Sequence, residues 1–296
     1  MKNIIKIDDV RYPKLLKKIN SPPEKLYYKG NWDASIFEHC LAVVGSRRMS
    51  TYGKLITNKL VSGIARAGIS IISGFMFGID ATAHKAALEA GGRTIAVMPC
   101  GIDIIHPQYQ ETLYKQILES KGLIVSELES SFPPALWTYP RRNRIVAGLS
   151  QATMVVEAGS KSGSLITAGF ARKYKRRLFA VPGPLTSVLS NGTIQLIKEG
   201  AEIVTSTEDV LAVYGFDVGA GLVPARRNGR PQGSPLQKLS KLEQSIVRKL
   251  QEEPMEIDAL TRSVRTSASE IGTALSLMQL KGIVFEERGK YYIKAG

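Results

Sequence analysis

The strongest constraint on how this 296-residue chain can fold is a regular alternation of short apolar runs with helical patterns. The runs are "LAVVGS" (41–46), "ISIISG" (69–74), "TIAVMP" (94–99), "LIVSE" (123–127), "TMVVEA" (153–158), "LFAVPG" (178–183) and "AEIV" (201–204). They are almost continuously apolar, as strands covered on both faces of a parallel sheet must be. Helical patterns fall between them, around 52–66, 79–90, 108–120, 141–149, 164–174 and 191–199. Strand and helix in strict turn mean βαβ units, and so an α/β fold with a doubly wound, mostly parallel sheet.

The flanks read differently. Residues 1–40 form a short N-terminal extension, in which "YPKLLKKINSPPEKLYYKG" suggests a short helix, a Pro-Pro turn and an extended segment. The sheet domain is expected over 41–215, and "LVPARRNGRPQGSPLQK" makes 216–235 a basic Pro/Gly linker by composition. Residues 236–296 then read as three short helices and a β-ribbon, a winged-helix-like pattern, with Ser267 and Glu270 spaced as a capping box. A hydrophobic content of 44% supplies enough apolar material for a core.

Charge narrows the partner. The net charge is +14, and it sits in two windows. His39 to Ile79 holds five cations and no acid, and Ser130 to Lys198 holds ten cations against Glu157 alone. Solubility charge usually mixes both signs, so a one-signed surface points to a polyanion. No run approaches the ~20 apolar residues of a membrane span, and the N-terminus lacks the pattern of a secretory signal. Cys40 and Cys100 stand alone, without metal-ligand spacing, and are expected to be buried thiols. A cytoplasmic protein with no metal and no cofactor is the expectation.

In doubly wound sheets, ligands bind where strand ends feed helix N-termini. The turn "VVGSRRMSTYG" places Gly45, Ser46, Arg47 and Ser50 at such a point. Glycine admits close backbone approach, the hydroxyls donate, and an arginine can grip phosphate with two donors. The turn lacks the glycine spacing of dinucleotide sites and P-loops. In "EAGSKSGSLITA", Lys161, Ser162, Gly163 and Ser164 stand at a helix start, where they can bind an anion or simply cap the helix. "WTYPRRNRIVAGLS" crowds Arg141, Arg142 and Arg144 into the expected start of another helix, an unfavourable place for cations unless an anion sits there. Trp137 and Tyr139 beside them are either base-stacking or core aromatics. Asp80 and His84 are four apart on one helix face, and no nucleophile motif accompanies them, so a structural role is expected. Phe75, Met76 and Phe77 are expected to be packing residues, and Arg226, Arg227 and Arg230 solvated linker charge.

Six of these motifs in order resemble the DNA-processing protein A (DprA/Smf) family. They are "GSRRMSTYG", "SGFMFGIDATAH", "CGIDIIHP", "PRRNRIVAGLS" with "VVEAGSKSGSLITA", "FAVPG" and "NGTIQLIKEGA", and the resemblance runs over roughly Tyr12 to Asp209. The resemblance implies an extended Rossmann-like domain that binds single-stranded DNA, forms homodimers and helps load RecA recombinase during DNA uptake in natural transformation. It carries over Arg47, Ser50, Arg142, Asn143 and Arg144, and more loosely Ser162 to Ser164, as a phosphate-binding pocket. It implies a winged-helix tail, while the SAM-like N-terminal domain of many members is not expected here. "FMF" at 75–77 stands where the family usually has a small residue and often a basic one before the glycine, so no DNA contact is carried over there.

The expected protein is thus a non-enzymatic single-strand-binding recombination mediator. Two rivals belong to other classes. A phosphoribohydrolase-type nucleotide enzyme would need a catalytic Glu, which "GSLITAGFARKYKRR" does not supply. A winged-helix regulator would need a basic reading helix, whereas "SASEIGTALSLMQLKG" carries Lys281 alone.

Overall fold

The structure, a computed structural model, describes residues 3–216, 240–264, 266–280, 283–287 and 289–293. The chain divides after Val223 into two compact units. Arg226, Arg227, Arg230 and Lys281 lie outside the described residues.

In the first unit the strands are β1 (Ile4–Lys6), β2 (Lys25–Gly30), β3 (Cys40–Val44), β4 (Ser70–Ser73), β5 (Thr94–Val97), β6 (Leu123–Ser126), β7 (Ala152–Val155), β8 (Arg177–Ala180) and β9 (Glu202–Ile203). The helices are α1 (Lys14–Lys17), α2 (Thr51–Arg66), α3 (Ile79–Glu89), α4 (Glu111–Glu119), α5 (Thr138–Leu149), α6 (Ser164–Lys173), α7 (Asn191–Lys198) and α8 (Thr207–Leu211). The sheet order is β1-β2-β6-β5-β4-β3-β7-β8-β9. From β6 to β9 all pairings are parallel, with Leu41 opposite both Ile71 and Ala152. The order reverses on the two sides of β3, the switch point of a doubly wound sheet.

Successive residues of β3 serve opposite layers. Leu41 and Val43 pack with Leu60, Ile64, Ala83 and Ala87 of α2 and α3. Ala42 and Val44 pack with Ile145, Val146, Ala168 and Ala171 of α5 and α6. The continuous apolar runs follow from this, since neither face meets water. Cys40 and Cys100 are buried free thiols within these layers.

Three expectations need correction. The first forty residues are not an extension. Strand β2 pairs with β6 and β1 with β2, both antiparallel, and together they complete the sheet edge. Ile5, Leu16 and Leu26 are fully buried in the same core as α5 and α6, and Gly148 of α5 lies against Leu16 and Ile19. The sheet unit therefore begins before residue 41. Strand β9 is only two residues long and exposed, because it is an edge with no strand beyond it. Helix α5 starts at Thr138, three residues before the expected 141.

The second unit contains α9 (Lys241–Glu252), α10 (Ile257–Val264), α11 (Ala268–Leu280) and the hairpin β10 (Val284–Glu287) and β11 (Lys290–Ile293). Its core joins Ile246, Leu250, Leu260, Ile271, Leu275, Met278 and Val284. Ser267 and Glu270 form the expected reciprocal cap, each accepting from the other's amide at 3.3 Å. Ser240 and Glu243 do the same at the start of α9. Among the described residues, no helix is long and apolar enough to cross a membrane.

Candidate nucleic-acid interface

An open cavity of about 770 Å³ lies at the switch point, over the carboxyl ends of β3, β4 and β7. Its wall is built from the turn Val44–Arg48, from Gly74 and Met76, from Arg142 and Asn143, from Gly159–Ser164, and from Val188, Leu189 and Asn191. Of the sequence-derived candidates, Gly45, Ser46, Arg47, Arg142, Asn143, Lys161, Ser162, Gly163 and Ser164 come together here. Ser50 and Arg144 do not.

The β3–α2 turn is pinned from below. The Ser46 amide donates to the Glu157 carbonyl at 2.7 Å, and the Ser46 hydroxyl accepts from the Arg48 amide at 3.1 Å. Arg47 is exposed and lies over the Tyr139 ring at 5.1 Å, while the Tyr139 hydroxyl bonds His106 Nε2 at 2.8 Å. Tyr139 thus supports a cation instead of filling the core. No carboxylate within the described residues pairs with Arg47, so its donors remain available to a ligand. Ser50 instead caps α2: its hydroxyl accepts from the Gly53 amide at 3.0 Å and donates to Glu157 Oε1. Its expected place in the pocket is corrected to that of an N-cap tying the turn to Glu157.

Arg142 forms the floor. It is 5% exposed, and its Nη1 donates to the carbonyls of Gly74 and Val97. A Cβ at Gly74 would lie 2.6 Å from Arg142 Nη2 and 2.8 Å from Asp80 Oδ2, so only glycine admits this guanidinium. Burial pushes the Arg142 guanidinium down to about 10, against the pull of Asp80, and the Arg47 charge lowers it further. It is still protonated at neutral pH. Burial likewise raises the Asp80 carboxyl, opposed by Arg142 and by the Met76 amide. Among the described residues Asp80 is the one acid in the pocket lining, and it feels the Arg142 charge while accepting from the Met76 amide at 3.3 Å.

Arg144 takes no part. Two residues along a helix turn the side chain by about 200°, so Arg142 and Arg144 leave α5 on opposite faces. Arg144 donates to the Ser21 carbonyl at 2.6 Å and to Glu127, fastening the N-terminal segment to α5. Arg141 also pairs with Glu127, at 2.9 Å, and lies over Trp137 at 5.7 Å. Because α5 begins at Thr138, all three arginines lie beyond its exposed N-terminal amides. The sequence puzzle of cations at a helix start is resolved by moving the start.

Around the α6 N-terminus the hydroxyls of Ser162 and Ser164 lie 2.8 Å apart, and the Ser164 amide donates to Ser162 Oγ at 3.3 Å. The capping position itself, Gly163, offers no side chain. Asn143 holds the loop through Nδ2 to the Gly163 carbonyl, at 3.4 Å. Lys161 is exposed beside it. Donors from two helix starts, with Arg47, Arg48, Arg142 and Lys161, converge on a space whose lining among the described residues holds one acid, Asp80. Such an arrangement binds phosphate.

Asp80 and His84 do not act as a pair. His84 is fully buried, with Nδ1 2.6 Å from Thr94 Oγ1. The Thr94 hydroxyl donates to the Ile71 carbonyl, so Nδ1 carries the proton and Nε2 is a bare acceptor without a partner among the described residues. Burial holds its pKa down to about 3. The sequence reading missed Arg48 and Asn191 in the wall and Asp80 as the partner of the floor arginine. Arg48 follows Arg47 directly, and Asn191 opens the motif "NGTIQLIKEGA", so both signals were present.

The family model described as DNA recombination-mediator protein A matches residues 3–215, and that of the DprA winged helix domain matches 230–290. Protein Smf of Synechocystis sp. is 33% identical over 96% of this chain and 78% of its own length. The X-ray structure of DNA processing protein A from Streptococcus pneumoniae superposes with a TM-score of 0.68 at 41% identity, covering 71% of this chain and 74% of that one. DNA processing protein A from Helicobacter pylori, whose structure concerns its single-stranded DNA binding mode, superposes at 0.64 with 31% identity over 73% of this chain and all of that one.

Proposed function

Since the chain belongs to the DNA recombination-mediator protein A family, we propose that its switch-point pocket binds the phosphates of single-stranded DNA in a recombination-mediator role. The observation that carries this reading is the convergence of Arg47, Arg48, Lys161 and the buried Arg142 on amides and hydroxyls at the switch point. These groups recognise phosphate and carry little base information, as a mediator coating any sequence requires. The single-strand binding mode of the H. pylori relative supports the same choice of ligand. The role is non-enzymatic: the acid of the lining lies under the field of Arg142, and His84 is buried with Nδ1 bonded to Thr94, outside that lining. Transfer of the strand to RecA, action as a homodimer and a cytoplasmic site of action complete the proposal, and family membership supports them. Pull-down of RecA and sedimentation of the intact protein test the first two.

The deciding experiment is salt-titrated binding of oligo-dT by the intact protein and by Arg47→Ala/Lys161→Ala. The wild-type affinity is expected to fall linearly in log–log form with salt, with a slope near 0.7 per phosphate neutralised. The double variant is expected to bind at least tenfold more weakly with a slope shallower by about one or more. Equal affinity and equal slope would refute the pocket assignment.

A further inference from the structure

We propose that Phe77 and Tyr109 form a nucleobase platform that continues the phosphate pocket into the groove between α3 and α4. The inference rests on the single-strand reading above, and it concerns residues that reading does not use.

The two rings lie parallel, 3° apart in plane with centroids separated by 5.0 Å. Both are exposed, Phe77 to 36% and Tyr109 to 68%. Phe75, two residues earlier, shows what a packing aromatic does in this loop: it is fully buried and meets Tyr114 edge-on. Phe77 and Tyr109 belong to no core cluster of the described residues, so packing does not explain their pairing. A flat apolar surface held open to water needs another reason.

Position supplies one. Phe77 follows Met76, which lines the phosphate pocket, and precedes Gly78, which has a φ of +68°. A Cβ at Gly78 would collide with the carbonyls of Ser46 and Arg47, so the loop bearing Phe77 is pressed against the Arg47 turn. The Ile79 amide bonds the Ser46 carbonyl at 3.2 Å and fixes this contact. A strand with a phosphate at Arg47 therefore meets the Phe77–Tyr109 pair next. The groove beyond, about 670 Å³, is lined by both rings, by Lys85 of α3 and by Gln116 of α4. An aromatic face beside a cation and amide donors suits an unpaired base and its following phosphate, because every base has a π-face whatever its sequence.

The test compares oligo-dT with an abasic strand of equal length, at one salt concentration, for wild type, Phe77→Ala/Tyr109→Ala and Tyr109→Trp. Stacking predicts that the double variant loses about tenfold in affinity for oligo-dT. Its affinity for the abasic strand and its salt slope should stay unchanged, and Tyr109→Trp should retain the base preference. Equal losses for both strands, or no loss for either, overturn the platform. A change in sedimentation of the double variant without a change in base preference also overturns it, and assigns the rings to contact between copies. Arg47→Ala/Lys161→Ala separates the two readings. If it abolishes binding while the aromatic variant changes nothing, the pocket stands and the platform falls. If it changes nothing, the pocket falls and the platform with it.

Discussion

At the scale of residues, the arginines of α5 show how one pattern can carry two jobs. Arg142 and Arg144 flank Asn143 in the sequence, yet the helix sends one to the pocket floor and the other to Ser21 and Glu127. Arg144→Ala should therefore cost about 1–3 kcal/mol of stability, because it leaves the Ser21 carbonyl without its donor and the part-buried Glu127 carboxylate with Arg141 alone. Urea unfolding measures this, and oligo-dT affinity of the folded variant should stay within about twofold of wild type. His84 makes a second residue-scale prediction. Its folded pKa is about 3, below an unfolded value near 6.5. The unfolded chain thus binds the extra proton, and stability present above pH 6.5 is lost as pH falls toward 3. Between pH 7 and 5 the wild type should lose about 2 kcal/mol more than a non-titrating His84→Gln variant. Parallel pH profiles for the two would mean that His84 is charged in the native state.

At the scale of elements, the parallel strands and their helices were legible because a buried strand has no polar face to confuse the pattern. The N-terminal strands were not. Strand β1 has three residues, and β2 reads "KLYYKG", with a burial pattern open at both ends. Such a segment is indistinguishable from a loop until β6 is there to pair with it. Their contribution is nonetheless structural. Leu26→Ala should destabilise the first unit by about 2–5 kcal/mol, the range for truncating a fully buried leucine, in a single cooperative transition. A cost under about 1 kcal/mol would show that β1 and β2 fray independently of the sheet. The start of α5 was misplaced for a related reason. Pro140, just before the expected start, lies in the first turn of the helix, where proline is tolerated.

For the whole molecule, four cations of the two basic windows, Arg47, Arg48, Arg142 and Lys161, line the switch-point pocket of the first unit. In the second unit, by contrast, α11, the longest of its described helices, has no basic side chain. Phosphate binding should then reside in the first unit. A chain ending at Val223 is expected to keep oligo-dT affinity within about threefold of the intact protein, with the same salt slope. A loss of tenfold or more, measured in the same titration, would place essential DNA contacts in the winged-helix unit.

What the sequence alone determined is the architecture and the one-signed charge from which a polyanionic ligand is inferred. Apolar runs covered on both faces specify a parallel sheet, and both the runs and the charge are summed properties that survive without coordinates. What only the tertiary structure decided is which cations line the pocket. Ser50 became a cap, Arg144 a clasp for the N-terminal segment, and Arg142 a buried floor held by two carbonyls. Residue type and spacing say what a side chain can bind. Helix phase, burial and the competing partners brought near by the fold determine what it does bind.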